Sequence, residues 1–126
     1  MTQTLDGARV LLLEDEFLIA LDAEQILKEL GAQHVDTAAT LSEAEQRVRD
    51  GEFDIALLDV NINGQMSFGL AESLRARGVP IVFATGYELK DRAIPNLDAA
   101  HCVSKPYTSE RLRQALCAAL AGRSTS

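Results

Sequence analysis

Three short apolar runs, at residues 10–13, 55–58 and 79–84, constrain this chain more than any other feature, because each is bounded by acidic residues or by Gly and Pro. Unbroken runs of that length read as strands buried on both faces, the pattern of a parallel sheet. Weaker runs at 34–39 and 100–104 bring the number of expected strands to five. Between the runs the period turns helical. Ile19, Ala23, Ile26 and Leu30 share one helical face, and Gly31 follows where a left-handed residue ends a helix. Ser42 and Glu45 have capping-box spacing, and Gly51 closes that second segment. Ser67 opens a third helix with Leu70, Ala71 and Leu74; Thr108 or Ser109 opens the last, with Leu112, Ala115, Leu116 and Ala119 before Gly122. Residues 88–96 offer only the thin stripe Leu89, Ala93 and Ile94 ahead of Pro95, so a short or mobile helix is expected there. Strands alternating with helices predict an α/β fold, a doubly wound five-stranded parallel sheet.

Length and charge narrow the function classes. The 126 residues, 47% of them hydrophobic, suit a single domain over 1–126 with one core. A net charge of −7 argues against a nucleic-acid partner, since affinity for a phosphate backbone needs clustered Lys and Arg. No charged start followed by an apolar core opens the chain, and no apolar run approaches the roughly 20 residues of a membrane span, so neither export nor a membrane partner is expected. Cys102 and Cys117 have no ligand-like spacing, and a reducing cytoplasm is the expected compartment.

In an open α/β sheet, ligands bind beyond the carboxyl ends of the strands. Glu14 and Asp15 follow the first strand, Asp59 ends the third, Thr85 the fourth and Lys105 the fifth. Taken singly, each is an ordinary turn, capping or surface residue. Jointly, they set three carboxylates, a hydroxyl and an ammonium on one edge. Clustered carboxylates repel one another and demand a cation, and hard oxygen donors suit Mg²⁺. Asp59, at the end of the central run, is the best-held nucleophile for an aspartyl phosphate, with Lys105 and Thr85 available to the phosphoryl oxygens.

These residues resemble the receiver domains of bacterial response regulators from about Arg9 to Leu120. The motifs are the pair Glu14-Asp15, Leu57-Leu58-Asp59-Val60, Thr85 and Lys105-Pro106. Phe83-Ala84-Thr85-Gly86-Tyr87 is similar to the receiver subgroup nicknamed FAT GUY, often found as single domains. The resemblance implies a flavodoxin-like sheet of strand order 2-1-3-4-5. It also implies Mg²⁺ held by Asp15 directly, by Glu14 through water, by Asp59 and by the carbonyl of Asn61. Phosphotransfer to Asp59 would come from a histidine kinase or a histidine phosphotransfer protein. Such a chain is a signalling module that assists its own phosphorylation and dephosphorylation rather than a turnover enzyme, and its signal leaves by protein contacts or onward phosphotransfer to a downstream protein. Two departures stand out. Ile62-Asn63 replaces a frequent Met-Pro, and Cys102 stands where many receivers carry a switching aromatic, leaving Tyr87 or Tyr107 as substitutes and the loop from Gly86 through residue 96 as the expected moving element.

Two other classes compete. A phosphatase of the haloacid-dehalogenase type also uses an aspartyl nucleophile and Mg²⁺, but needs a second Asp where Asn61 stands. A flavodoxin-like electron carrier would need a phosphate loop after the first strand, and the acidic Glu14-Asp15-Glu16 there repels a flavin phosphate.

Overall fold

The computed structural model describes residues 5–85, 102–105 and 107–123. Gly86, Tyr87, the expected helix at 88–96, His101 and Pro106 lie outside the described residues. The elements run β1 (Arg9–Leu13), α1 (Phe17–Glu29), β2 (His34–Ala38), α2 (Leu41–Asp50), β3 (Ile55–Asp59), β4 (Asn61–Ile62), β5 (Gln65–Met66), α3 (Phe68–Ala76), β6 (Ile81–Thr85), β7 (Cys102–Ser104) and α4 (Ser109–Arg123).

Five strands form one parallel sheet in the order β2-β1-β3-β6-β7, the flavodoxin-like arrangement. The period of two divides each central strand between two cores. Val10, Leu12, Ile55 and Leu57 face Ala23 and Leu27 of α1 and Leu112, Ala115 and Leu116 of α4. Leu11, Leu13, Ala56 and Leu58 face Ala44 and Val48 of α2 and Leu70, Ala71 and Leu74 of α3. The apolar runs are continuous because both faces are covered. Register then sets the functional edge. Leu13 pairs with Leu58 and Asp59 with Ala84, so Glu14, Asp59 and Thr85 finish their strands at nearly the same level. Among the described residues no helix is long and apolar enough to cross a membrane.

Helix ends follow local chemistry, with three departures from expectation. α1 closes at Gly31 (φ 107°) in a Schellman arrangement, the Gly31 amide donating to the Lys28 carbonyl and Ala32 to that of Leu27. Its buried stripe, however, is Ala20, Ala23 and Leu27, with Ile19 and Ile26 only flanking it. Alanines at the contact let the helix lie close to the sheet, and the rotation leaves Phe17, Leu18 and Leu21 exposed. In α2 the cap is Thr40 rather than Ser42. Its hydroxyl accepts from the Glu43 amide at 3.1 Å, while Glu43 reaches back to the Ala39 amide at 2.8 Å. The segment Thr-Leu-Ser-Glu-Ala-Glu holds two overlapping capping boxes, and the earlier start places Ala44 and Val48 on the core. The third departure is the hairpin β4–β5, turned by Asn63 (φ 52°) and Gly64 (φ 85°). Positive φ at both turn residues is the two-residue type I′ geometry, for which Asn-Gly is suited. It lifts Met66 to 46% exposure. α4 opens at Thr108, whose hydroxyl accepts from the Arg111 amide at 3.2 Å.

The two candidate caps of α2 can be separated by mutation. Thr40→Ala should cost about 1 kcal/mol of stability, whereas Ser42→Ala, at an exposed helical position, should be neutral or slightly stabilising. Urea midpoints at constant slope are the measurement.

Candidate functional site

Glu14, Asp15 and Asp59 come together at the carboxyl edge of the sheet, each offering a carboxylate oxygen within 4.8 Å of the others. Glu14 and Asp59 are buried and Asp15 is half-buried. Lys105 enters from the end of β7 with its side chain only 10% exposed. Its ammonium donates to Asp59 Oδ2 at 2.7 Å and to the two Glu14 oxygens at 3.2 and 3.4 Å, with Glu16 Oε1 at 3.8 Å. The Lys105 amide donates to the Thr85 carbonyl at 3.0 Å, tying β7 to the end of β6. Thr85 is half-exposed beside Ala84, the register partner of Asp59.

Each acid also accepts one main-chain amide. Glu16 donates to Glu14 Oε2 at 3.0 Å and Asn61 to Asp59 Oδ1 at 3.2 Å, both two residues on from the acid they serve. The third comes from afar: Asn63, 48 positions along the chain, donates to Asp15 Oδ2 at 3.2 Å. Ser67, fully buried, spends its hydroxyl on the Asp59 carbonyl at 2.7 Å instead of capping α3. Neither Asn63 nor Ser67 was picked out as a site residue from the sequence. The Asn-Gly dipeptide was the available signal for the first, while nothing distinguishes Ser67 from an ordinary helix cap until the fold is known.

Burial pushes the Glu14 carboxyl up to about 7, with the Glu16 amide and the Lys105 ammonium pulling only partly the other way. Asp59 is raised by the same loss of solvent. Burial works against the Lys105 ammonium, yet its hydrogen bond to Asp59 and the charges of Asp59 and Glu14 raise it above its ordinary value. Burial also raises the Tyr107 phenol, whose hydroxyl has no hydrogen-bond partner among the described residues. Cys102 is half-buried against the α2–α3 core.

With all three acids ionised, one ammonium leaves two negative charges on the cluster. A divalent cation would balance them, and an all-oxygen donor set suits Mg²⁺. The residues therefore fit that ion. Asn61, two residues after Asp59, is an amide whose Oδ1 accepts from Gly64 at 2.9 Å, and it offers no proton shuttle to a dehalogenase-type phosphatase. A cleft of about 490 Å³, lined by Val48, Phe53, Leu74 and Arg77 among others, contains none of the strand-end acids.

Comparison with known proteins agrees with this geometry. Residues 10–117 match the model of the response regulator receiver domain. The chain is 31% identical over 111 residues to the sensory transduction protein LytT of Bacillus subtilis, covering 86% of this chain and 46% of LytT. It thus spans less than half the length of that relative. Among solved structures it is similar to SdrG from Sphingomonas melonis Fr1, with 39% identity, a TM-score of 0.79 and coverage of 94% and 98% of the two chains. It is similar also to the receiver domain of PhyR from Erythrobacter litoralis, with 27% identity, a TM-score of 0.78 and coverage of 96% and 95%.

The raised Glu14 carboxyl has a consequence for stability. Between its ordinary 4.5 and about 7 the folded chain keeps a proton that the unfolded chain has released. The folded state then binds more protons, so stability must fall as pH rises through that window. With chelator present, the urea midpoint should decline from pH 4.5 to 7, and Glu14→Gln should flatten most of that decline.

Proposed function

The chain belongs to the response regulator receiver family, and on that membership we propose that it accepts a phosphoryl group on Asp59 from a histidine kinase or histidine phosphotransfer protein, with Mg²⁺ bound. The observation that carries the proposal is Lys105 Nζ at 2.7 Å from Asp59 Oδ2, inside a cluster of three carboxylates that one ammonium does not neutralise.

Each residue has a task in the transfer. A carboxylate oxygen of Asp59 attacks phosphorus; the O–P bond forms as the N–P bond of the partner's phosphohistidine breaks, and the imidazole leaves with the electron pair and takes up a proton. Lys105, already on Asp59, neutralises charge on the equatorial oxygens, and the Thr85 hydroxyl donates to one of them. Asp15 would hold Mg²⁺ directly and Glu14 through water, with Asp59 and the Asn61 carbonyl completing the protein's share. The ion supplies charge neutralisation at the transferring group and a template that orients it. The Asn61 amide holds Asp59 Oδ1, fixing the carboxylate's rotation.

A protein donor is supported by what rims the site. Phe17 and Leu18 are 73% and 74% exposed, and Leu21 is 44% exposed one turn on. They begin one residue after Glu16, which reaches to 3.8 Å from Lys105 Nζ. Large apolar side chains left in solvent beside a nucleophile suit a protein partner better than a small phosphodonor. Residues 1–126 would then serve as a single cytoplasmic receiver unit, with output through altered contacts or onward phosphotransfer.

Intact mass after incubation with Mg²⁺ and a small acyl phosphate tests the chemistry. The expected result is a single base-labile adduct, absent from Asp59→Asn; full labelling of that variant would reject the phosphoacceptor assignment. Leu18→Glu tests the partner surface. Phosphotransfer from a histidine kinase should fall about tenfold, the loss typical of one good interface contact, and much more than labelling by the acyl phosphate.

A further inference from the structure

We propose that the Asn63–Gly64 turn is a positioning element for Asp15, acting through the main-chain amide of Asn63 rather than its side chain. The inference rests on the reading of Asp15 as an Mg²⁺ ligand. Asp15 lies past the end of β1, where no strand register fixes its carboxylate. The Asn63 amide fixes it from across the site, 3.2 Å from Oδ2.

That amide is aimed by an uncommon backbone. Asn63, at φ 52°, is the one non-glycine residue with positive φ among those described. Asn tolerates the left-handed region better than residues with bulkier or branched side chains. The turn is fastened on several sides. Asn61 Oδ1 accepts from the Gly64 amide at 2.9 Å, and the Asn61 amide is itself on Asp59. Ile62, between the two asparagines, is 1% exposed within the α2–α3 core. The Ser67 amide donates to the Val60 carbonyl at 2.9 Å and closes the far end of the hairpin loop. One short loop therefore grips Asp59 with its first residues and Asp15 with its turn. Its separation is set by the hairpin itself.

Metal-ligating carboxylates that lose a supporting hydrogen bond typically lose roughly 10- to 100-fold in metal affinity. A branched side chain at position 63 opposes the left-handed conformation and turns the amide away, whereas glycine keeps both the conformation and the N–H.

The test is an Mg²⁺ titration of the full chain, followed by amide chemical shifts and without any phosphodonor. Asn63→Val should bind Mg²⁺ about tenfold or more weakly, while Asn63→Gly should stay within about twofold of the wild type because the amide is retained. Binding by Asn63→Val within that same narrow range overturns the inference, as does a loss in Asn63→Gly equal to that in Asn63→Val. Should Asn63→Val fail to fold, comparison of the Asn63 amide between wild type and Asp15→Ala decides. Faster hydrogen exchange and an upfield shift in Asp15→Ala support the contact, and an unchanged amide refutes it. Absence of saturable Mg²⁺ binding by the wild type would instead overturn the metal reading from which the inference starts.

Discussion

The unequal contest between three converging carboxylates and one ammonium governs this edge of the molecule. Register brings Glu14 and Asp59 together, and burial denies them water. Taking a charge out of water costs several kcal/mol even after relaxation, and Lys105 alone cannot offset that for the whole cluster. The remainder is met by three main-chain donors, from Glu16, Asn61 and Asn63, and by the proton that a raised Glu14 retains. A site in that condition favours positive charge, which is why the three carboxylates suit a divalent cation.

The double core explains how so acidic an edge is held steady. Val10 and Leu12 lock β1 to the α1–α4 side while Leu11 and Leu13 lock it to the α2–α3 side, and β3 is gripped in the same way by Ile55, Leu57, Ala56 and Leu58. The strands that deliver Glu14 and Asp59 are thus packed on both faces. Packed cores resist continuous deformation, so repulsion among the acids is absorbed by protonation and hydrogen bonding rather than by the strands moving apart.

Much of this was legible before any coordinates. Unbroken apolar runs gave away the buried strands, and the acids, hydroxyl and lysine that follow them marked the edge. What escaped had physical reasons. A two-residue strand has no periodicity, so β4 and β5 left only the Asn-Gly dipeptide as a trace. The start of α2 was read two residues late because Thr40-Glu43 and Ser42-Glu45 satisfy the same capping rule, and only the need to bury Ala44 and Val48 chooses between them. The α1 face was read in part: Ala23 is buried and Ile26 and Leu30 pack against the core, but Ala20 and Leu27, which complete the buried stripe, were missed. The alanines at 20 and 23 lie against the sheet, while the larger Phe17 and Leu18 face outward. Ser67 looked like a cap and turned out to brace the carbonyl of Asp59, a role that depends on tertiary proximity.

The reliance on main-chain donors bears on how such a site drifts over evolutionary time. A side-chain hydrogen bond vanishes with the first unsuitable codon, whereas an amide N–H is present in every amino acid but proline. Glu16 and Asn61 could exchange their side chains for many others and still present the same donors to Glu14 and Asp59. The cage around the acids is encoded more in the path of the backbone than in the letters along it. Its inheritance can therefore outlast considerable divergence in sequence, provided the loop keeps its length and its turn.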